Sequence, residues 1–599
     1  MFGTDEISDN LIRRKLYVIM IVIMVGFCAL VVRLGYLQIV CAEYYTRRSE
    51  DNRIRPVRLT PPRGVLYDRY GKEPLADNET VFDVCVAPTK ADYLWDMGRG
   101  TSDVKRNERR CEALQRLNLA PEEILEKLKA SRAAAFEPVV IKEDLDKDVA
   151  AYLAESNSHI PEIIIRARPK RRYKRLAAHV IGYIAPVGKE DLENGYVLSD
   201  VMGKAGVEAE YEEDLKGNLD WKMVEVNAFG HIIRDLPLPV KAEPGHSLNL
   251  TLDLALQRKA EALLESGGDP PDHPYRGAIL AIDPRNGEIL AMASKPDFDP
   301  NIFAGRCSEE DWNELVNSCD NPLLNRAIMG EYPPGSIFKI VTATAALEEG
   351  KIDKNTHFYC DGRFPLGDRV FKCLGVHGYV NIHEALVGSC NIFFYNVAYQ
   401  RSVTIPIMHK YAVKYGLGKK TGIDIPGEKS GSIPKTGKYP GDKINVSIGQ
   451  GELLVTPLQM ANLICVIANR GFSYNPHIVN HPQNHNPELL VDLRGQISLK
   501  TINIIRDALK DVVERGSGRR AKLSDYQVAG KTGSAQNPRG DEHAWFIGFA
   551  PFDEPEIAVA VMVENAGRGS EIAAPIAGQM FAEYFYRGKL MLAERQGGR

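Results

Sequence analysis

The sequence predicts an α+β chain: one N-terminal apolar helix, an elongated α+β pedestal, and a larger domain on a five-stranded antiparallel sheet flanked by helices. Three observations carry this. Leu16 to Val32, LYVIMIVIMVGFCALVV, holds no charged residue. RGAILAIDPRNGEILAMAS sets two apolar runs around Asp283-Pro-Arg-Asn-Gly287, a loop with turn chemistry. YQVAGKTG, HAWFIGFAP and IAVAVMVEN add three strands near the C-terminus, after mostly helical and loop sequence from Pro322 to Asp511. Two strands, a helical insertion, three strands and a closing helix, AAPIAGQMFAEYFYRG, imply a helix-covered sheet with an all-helical lobe inserted.

In chain order, residues 1–15 read as a cytoplasmic stub and 16–38 as a transmembrane anchor. The uncharged run is at the short end for a spanning helix, but Arg33 can snorkel and let LGYLQIV extend it. A cleaved signal peptide is the rival, weakened by the lack of a small-x-small cleavage site. Cations on both sides of the run leave the positive-inside rule nearly undecided. A short tail before the anchor and everything else after it fit an external body. Residues 39–245 read as the pedestal, with VLYD and VFDVCVAP as short strands and a charged helical lobe inserted at about 91–156. Residues 246–599 form the second domain, opened by a strand and helix in SLNLTLDLALQRKAEALLES.

At 599 residues the chain is too long for one core, and 44% apolar with 26% charged residues is globular composition. A net charge of −4 gives no reason to expect nucleic acid as a partner. Ten cysteines are too few for a disulfide scaffold, yet five fall between Cys307 and Cys390.

Ser336-Ile-Phe-Lys339 follows Tyr332-Pro-Pro-Gly335 and opens the apolar run IVTATAALEE. On a helix, positions three apart share a face, so Lys339 can reach the Ser336 hydroxyl. A serine becomes a nucleophile when a base takes its proton, and a lysine serves only if its pKa is lowered. The Ser336 backbone N–H, at a helix start, is free to stabilise an oxyanion. Ser-x-x-Lys recurs at Ser102–Lys105 in the charged lobe and at Ser432–Lys435 in a Gly- and Pro-rich loop. Ser-x-Asn occurs at Ser8, Ser389 and Ser473, and Lys-Thr-Gly at Lys435 and Lys531. Lys531-Thr532-Gly533-Ser534 ends one strand run and precedes another, where an edge strand could bind a substrate carboxylate. Order and context leave one set: Ser336 and Lys339, Ser389 and Asn391, Lys531 to Ser534. These are the three signatures of penicillin-interacting serine acyltransferases, in their usual order.

With those residues in hand, the chain resembles class B penicillin-binding proteins over nearly its whole length. RGVLYDRYGKEPLADN, AAHVIGYI and GKAGVEAEYEEDLKG resemble the family's N-terminal boxes. NPLLNRAIMGEYPPGSIFK and SIGQGELLVTPLQMA resemble transpeptidase-domain boxes. HAWFIGFAPFDEPEIAVAVMVENAGRGSEIAAPIA looks most like the elongation-type penicillin-binding protein 2 subfamily. Tyr173-Lys174 departs from the usual Tyr-Pro, and Cys390 from the usual middle residue of Ser-x-Asn.

The resemblance implies a peptidoglycan D,D-transpeptidase of cell elongation, a target of β-lactams, with possible D,D-carboxypeptidase side activity. Ser336 would attack the penultimate D-alanine of a stem peptide and Lys339 would take its proton. Ser389, aided by Asn391 and Lys531, would protonate the departing D-alanine. Backbone N–H groups of Ser336 and Ser534 would form the oxyanion hole, while Thr532, Gly533 and Ser534 would seat the terminal carboxylate. No deacylating base is assignable, so acylation by a β-lactam should be long-lived. The implied partners are a glycan polymerase of the SEDS class and other elongation proteins, at the bacterial cytoplasmic (inner) membrane. Rivals are a division-type transpeptidase, a β-lactam sensor and a catalytically silent scaffold.

The chemistry itself requires no cofactor. Cys360, Cys373, His377 and Cys390 nevertheless form C-x12-C-x3-H-x12-C, ligand types suited to tetrahedral zinc, with Asp361 as a spare. Some elongation-type members resemble this in carrying a metal site before Ser-x-Asn, which would make zinc here structural. A Cys360–Cys373 disulfide and plain buried thiols are the alternatives.

Overall fold

The computed structural model describes residues 5–59, 61–86, 112–113, 115–130, 138–155, 163–194, 196, 200–218, 220–226, 232–236, 243–267, 274–305, 307–480, 487–537 and 540–597. They fall into two compact units. The first holds Met1–Pro61, Thr80–Pro169 and Asn218–Glu243; the second holds Pro62–Glu79, Lys170–Gly217 and Pro244–Arg599.

In the first unit, helix α1 (Asp5–Gly35) continues as one π-helical turn to Val40. Residues Arg13–Val40 are the only helix long and apolar enough to span a membrane among the described residues. At ~1.5 Å per residue these 28 residues outspan a ~30 Å hydrocarbon core. A three-stranded sheet pairs Ile54–Leu59 with Asp220–Val226, and that strand with Ile232–Asp235. The lobe expected at about 91–156 lies partly outside the described residues. Its described part contains helices Pro121–Ala130 and Lys147–Glu155, but also a strand, Val139–Leu145, paired with residues 82–86. Charged composition suggested helix there; the β-branched run Val139-Val140-Ile141 favours a strand, and Ile141 and Leu145 bury against Val84, Leu117 and Leu153.

Residues 62–79 and 170–217 belong with the second unit, so the expected boundary near 245 is not a single cut. A buried ion cluster ties these two stretches to each other, and Leu66–Tyr67 pairs with Leu248–Asn249. Arg63 and Arg171 both reach Glu208, at 2.5 and 2.7 Å, and Arg63 also meets Glu212 at 2.5 Å. All four side chains are nearly inaccessible, so removing one would strand a buried charge, at roughly 3–5 kcal/mol.

The main sheet contains β1 (Gly277–Ile282), β2 (Ile289–Lys295), β5 (Ala529–Ala535), β6 (His543–Ala550) and β7 (Ile557–Val563). Its order is β2-β1-β7-β6-β5, every pair antiparallel. The strands read as continuous apolar runs because helices cover both faces. Ile279, Phe546 and Val561 pack with α2 (Leu254–Glu265) and α9 (Ala573–Gly597). Leu280, Ile547 and Ala560 belong to the opposite core with α3 (Lys339–Glu348) and α7 (Pro457–Ala468). The inserted lobe also contains α4 (Ile382–Val387), α5 (Asn391–Tyr399) and α6 (Pro440–Ser447), followed by α8 (Leu499–Glu514). It is not all-helical: a small hairpin, β3 (Arg363–Leu366) and β4 (Arg369–Lys372), stands between α3 and α4.

Candidate active site

Ser336 lies in a 3-10 turn, Gly335–Phe338, and Lys339 is the first residue of α3. The helix therefore starts one turn later than the sequence suggests. Gly335 adopts φ +54°, and a Cβ there would stand 2.6 Å from the Ser534 carbonyl oxygen. Only glycine allows that turn to press against the edge strand β5. Its N–H is held by the Gly449 carbonyl at 2.9 Å.

Ser389 joins two helices. It follows Gly388 after α4, takes φ +54°, and precedes Cys390, the residue that caps α5. A left-handed serine is strained, and the conformation is held by the side chains that meet it. Lys339 Nζ contacts the Ser389 carbonyl at 2.8 Å, Ser389 Oγ at 3.2 Å and Asn391 Oδ1 at 2.7 Å. Lys531 Nζ reaches the same Ser389 Oγ at 3.2 Å and the Thr532 carbonyl at 3.0 Å. The three hydrogen bonds of Lys339 all go to the Ser-x-Asn segment, and none to Ser336.

Both lysines are wholly buried, and among the described residues neither meets a carboxylate. Burial pushes the Lys339 ammonium down, to about 8, against a smaller opposing pull from the Cys373 and Cys390 thiols. Burial and the neighbouring charge of Lys339 drive Lys531 well below its usual value. Two amines so placed can exchange a proton through Ser389 near neutral pH.

Lys531 to Ser534 lie inside β5, which begins three residues later than the expected run YQVAGKTG and ends two residues beyond it; among the described residues it pairs with β6 alone. Thr532 Oγ1 shares a 2.6 Å hydrogen bond with Ser517, beyond the end of α8. Ser534 Oγ accepts from the Gly569 N–H at 3.2 Å, and its carbonyl from Gln450 Nε2 at 3.4 Å. Ser517, Gln450 and Gly569 escape motif reasoning; Gln450 and Gly569 lay in quoted boxes, without a role, and Ser517 in none.

The other motif copies are elsewhere. Ser432 sits in a β-bridge with Leu454 and Lys435 is exposed. Ser473 is buried in the short strand Phe472–Tyr474. Ser8 is in α1, and Ser102 lies outside the described residues. A further Lys-Thr-Gly, Lys420 to Gly422, is a loop whose Thr421 and Gly422 N–H groups bind Glu428, at 2.6 and 3.0 Å.

Cys360, Cys373, His377 and Cys390 come together, their ligand atoms all within 4.8 Å of one another. His377 Nδ1 is 3.4 Å from Cys360 Sγ and 3.5 Å from Cys373 Sγ; Cys373 and Cys390 Sγ are 3.9 Å apart. A zinc ion at ~2.3 Å from sulfur and ~2.0–2.1 Å from nitrogen sets tetrahedral edges of about 3.8 and 3.5 Å. The donor set fits. All three cysteines are free thiols, and Asp361 is exposed, with Oδ1 taken by the Arg363 N–H at 2.9 Å. The Asn391 N–H donates to Cys373 Sγ at 3.2 Å, so the cluster abuts the Ser-x-Asn motif directly.

Comparison with known proteins agrees with this geometry. The penicillin-binding protein transpeptidase domain matches residues 277–582, and the penicillin-binding protein dimerisation domain residues 58–250. The peptidoglycan D,D-transpeptidase MrdA of Acinetobacter baumannii is 35% identical over 92% of this chain and 85% of its own length. A Helicobacter pylori penicillin-binding protein, PBP2, solved in complex with MreC, superimposes with TM-score 0.75 at 27% identity, over 89% of this chain and 98% of that one. A chain from a peptidoglycan synthase complex that coordinates polymerization and crosslinking gives TM-score 0.72 at 31% identity, covering 95% and 98%.

Proposed function

This chain belongs to the penicillin-binding transpeptidase family, and on that premise we propose a mechanism in which Ser336 carries the acyl group between two stem peptides. The enzyme is an elongation-type serine D,D-transpeptidase of peptidoglycan synthesis. Convergence of Lys339 and Lys531 on Ser389 Oγ carries the reading of the site. Lys339, neutral in part because it is buried, takes the Ser336 proton as Oγ attacks the penultimate D-alanine carbonyl. The Ser336 and Ser534 backbone N–H groups stabilise the oxyanion. Ser389, flanked by two amines and by Asn391, returns a proton to the leaving D-alanine. Thr532 and Ser534 hold its carboxylate along the open edge of β5. An amine from a second stem peptide then displaces Ser336. Fluorescent penicillin should label the wild type and not Ser336→Ala; labelling of that variant would overturn the assignment.

Cys360, Cys373, His377 and Cys390 are proposed to hold zinc. The ion would supply no step of the reaction; it would tie the β3–β4 loop to the segment bearing Ser389 and Asn391. We further propose that α1 anchors the chain in the cytoplasmic membrane with the second unit outside. There it works beside a glycan polymerase of the elongation machinery, a reading supported by the similar chain from a peptidoglycan synthase complex that coordinates polymerization and crosslinking.

A further inference from the structure

We propose that Trp545 is a positioning residue of the oxyanion hole, its indole N–H fixing where the turn before Ser336 lies on the sheet. This rests on the reading above, in which the Ser336 and Ser534 backbone N–H groups receive the oxyanion, and adds what aligns them. The two donors belong to different segments, a 3-10 turn and an edge strand. Their spacing therefore depends on how one segment is fastened to the other.

The approach to Ser336 is Tyr332-Pro333-Pro334-Gly335. Two consecutive prolines have no backbone N–H, so that stretch is tethered through its carbonyls. Tyr332 is held at the entrance, exchanging backbone hydrogen bonds with Val455 at 2.9 Å each, and Gly335 at the exit by the Gly449 carbonyl. Between them the Pro333 carbonyl accepts from Trp545 Nε1 at 3.1 Å.

The glycine of the Lys-Thr-Gly motif makes that reach possible. Trp545 of β6 lies directly opposite Gly533 of β5, and opposed residues share a face. With no side chain at 533, the indole and the turn meet over the edge strand. A Cβ there would stand 2.9 Å from the Pro334 carbonyl oxygen and 3.0 Å from Trp545 Cβ. Trp545 is fully buried, and the Tyr332 ring meets it edge to face at 6.3 Å between centroids. Tyr332 is itself fixed, its hydroxyl donating at 2.7 Å to Glu564 Oε1, which Arg326 Nε engages at 2.9 Å. Pro333 is three residues from Ser336, and a shift of ~1 Å at a reacting group can cost about 10²-fold in rate. None of the hydrogen bonds joining Lys339, Ser389 and Lys531 involves this turn, so its release falls on Ser336 and its N–H.

The test compares two donors on the purified full chain: an acyl-D-alanyl-D-lactate ester and its thionoester, with sulfur for oxygen at the scissile carbonyl. In both, Ser336 Oγ bonds to the carbonyl carbon, the bond to the lactate oxygen breaks, and lactate leaves with the proton. Sulfur accepts hydrogen bonds poorly, so the oxo-to-thiono ratio of kcat/KM reads the oxyanion hole and cancels any change in active fraction. The wild type should favour the oxo ester by about 10²–10³-fold, the worth of an oxyanion donor. Trp545→Phe should lower that ratio by about tenfold or more. Phe546→Leu, its neighbour facing the opposite core, should melt lower yet keep the ratio. A Trp545→Phe chain that keeps the wild-type ratio overturns the inference, as does a Phe546→Leu chain that lowers it equally. Should Trp545→Phe not fold, benzothienylalanine at 545, which keeps the bicyclic ring and puts sulfur in place of the N–H, decides by the same ratio. A wild type indifferent to sulfur would instead overturn the oxyanion hole on which the inference rests.

Discussion

Lys339 and Lys531 each place an amine nitrogen 3.2 Å from one oxygen, Ser389 Oγ. Burial favours loss of a proton from each, and the charge of Lys339 lowers Lys531 further.

A pH dependence follows. Lys339 acts as a base only when neutral, and burial lowers it from 10.5 to about 8. Penicillin acylation should rise with pH and level off above about 8, the neutral form being populated above its pKa. Stopped-flow or gel-based acylation rates between about pH 6 and 10 check it. A profile flat through that range would remove Lys339 as the base.

Ser389 separates chemistry from strain. Ser389→Ala and Ser389→Gly both delete the shared hydroxyl, so both should slow acylation by about 10²–10⁴. Only alanine is forced to hold φ +54° with a Cβ, at a cost of about 1–2 kcal/mol. Thermal melting should therefore rank glycine above alanine, and equal melting temperatures would show that the left-handed geometry is not strained.

Metal content tests the cysteine cluster. The purified chain should hold about one zinc, and Cys373→Ser should lose most of it and melt at lower temperature. Equal zinc in the variant excludes a four-ligand site. An intact-mass deficit of about two hydrogens in the wild type, with no zinc, would favour a disulfide instead.

Ser517 supports Thr532 through a 2.6 Å hydrogen bond. Ser517→Ala should weaken the saturation constant for penicillin acylation by about tenfold while the limiting rate falls less, since one hydrogen bond near a charged ligand is lost. A fall confined to the limiting rate would place Ser517 with the proton-transfer groups.

The main sheet was legible because each strand is a distinct apolar run between turns, and period and turn chemistry survive in the sequence. The Val139–Leu145 strand was not, since its acidic and basic residues resemble the surrounding helical text. Ser336, Lys339, Ser389, Asn391 and Lys531 were found by order along the chain, and the structure brings Lys339, Ser389, Asn391 and Lys531 into one hydrogen-bonded cluster. Ser517 left no trace, and Gly569 stood in a quoted run without a role, because their contacts depend on loops whose packing no local spacing encodes. The Cys360, Cys373, His377 and Cys390 set was visible only as an odd spacing; folding the hairpin between the first two supplies the distances.

The position of Cys390 constrains how such a site can evolve under antibiotic pressure. It lies between Ser389 and Asn391 and also stands 3.9 Å from Cys373. A substitution there that reshaped the pocket against a drug would also dismantle the neighbouring thiol–imidazole group. Resistance is thereby steered towards positions that touch neither the cysteine–histidine group nor the central hydroxyl and its two amines.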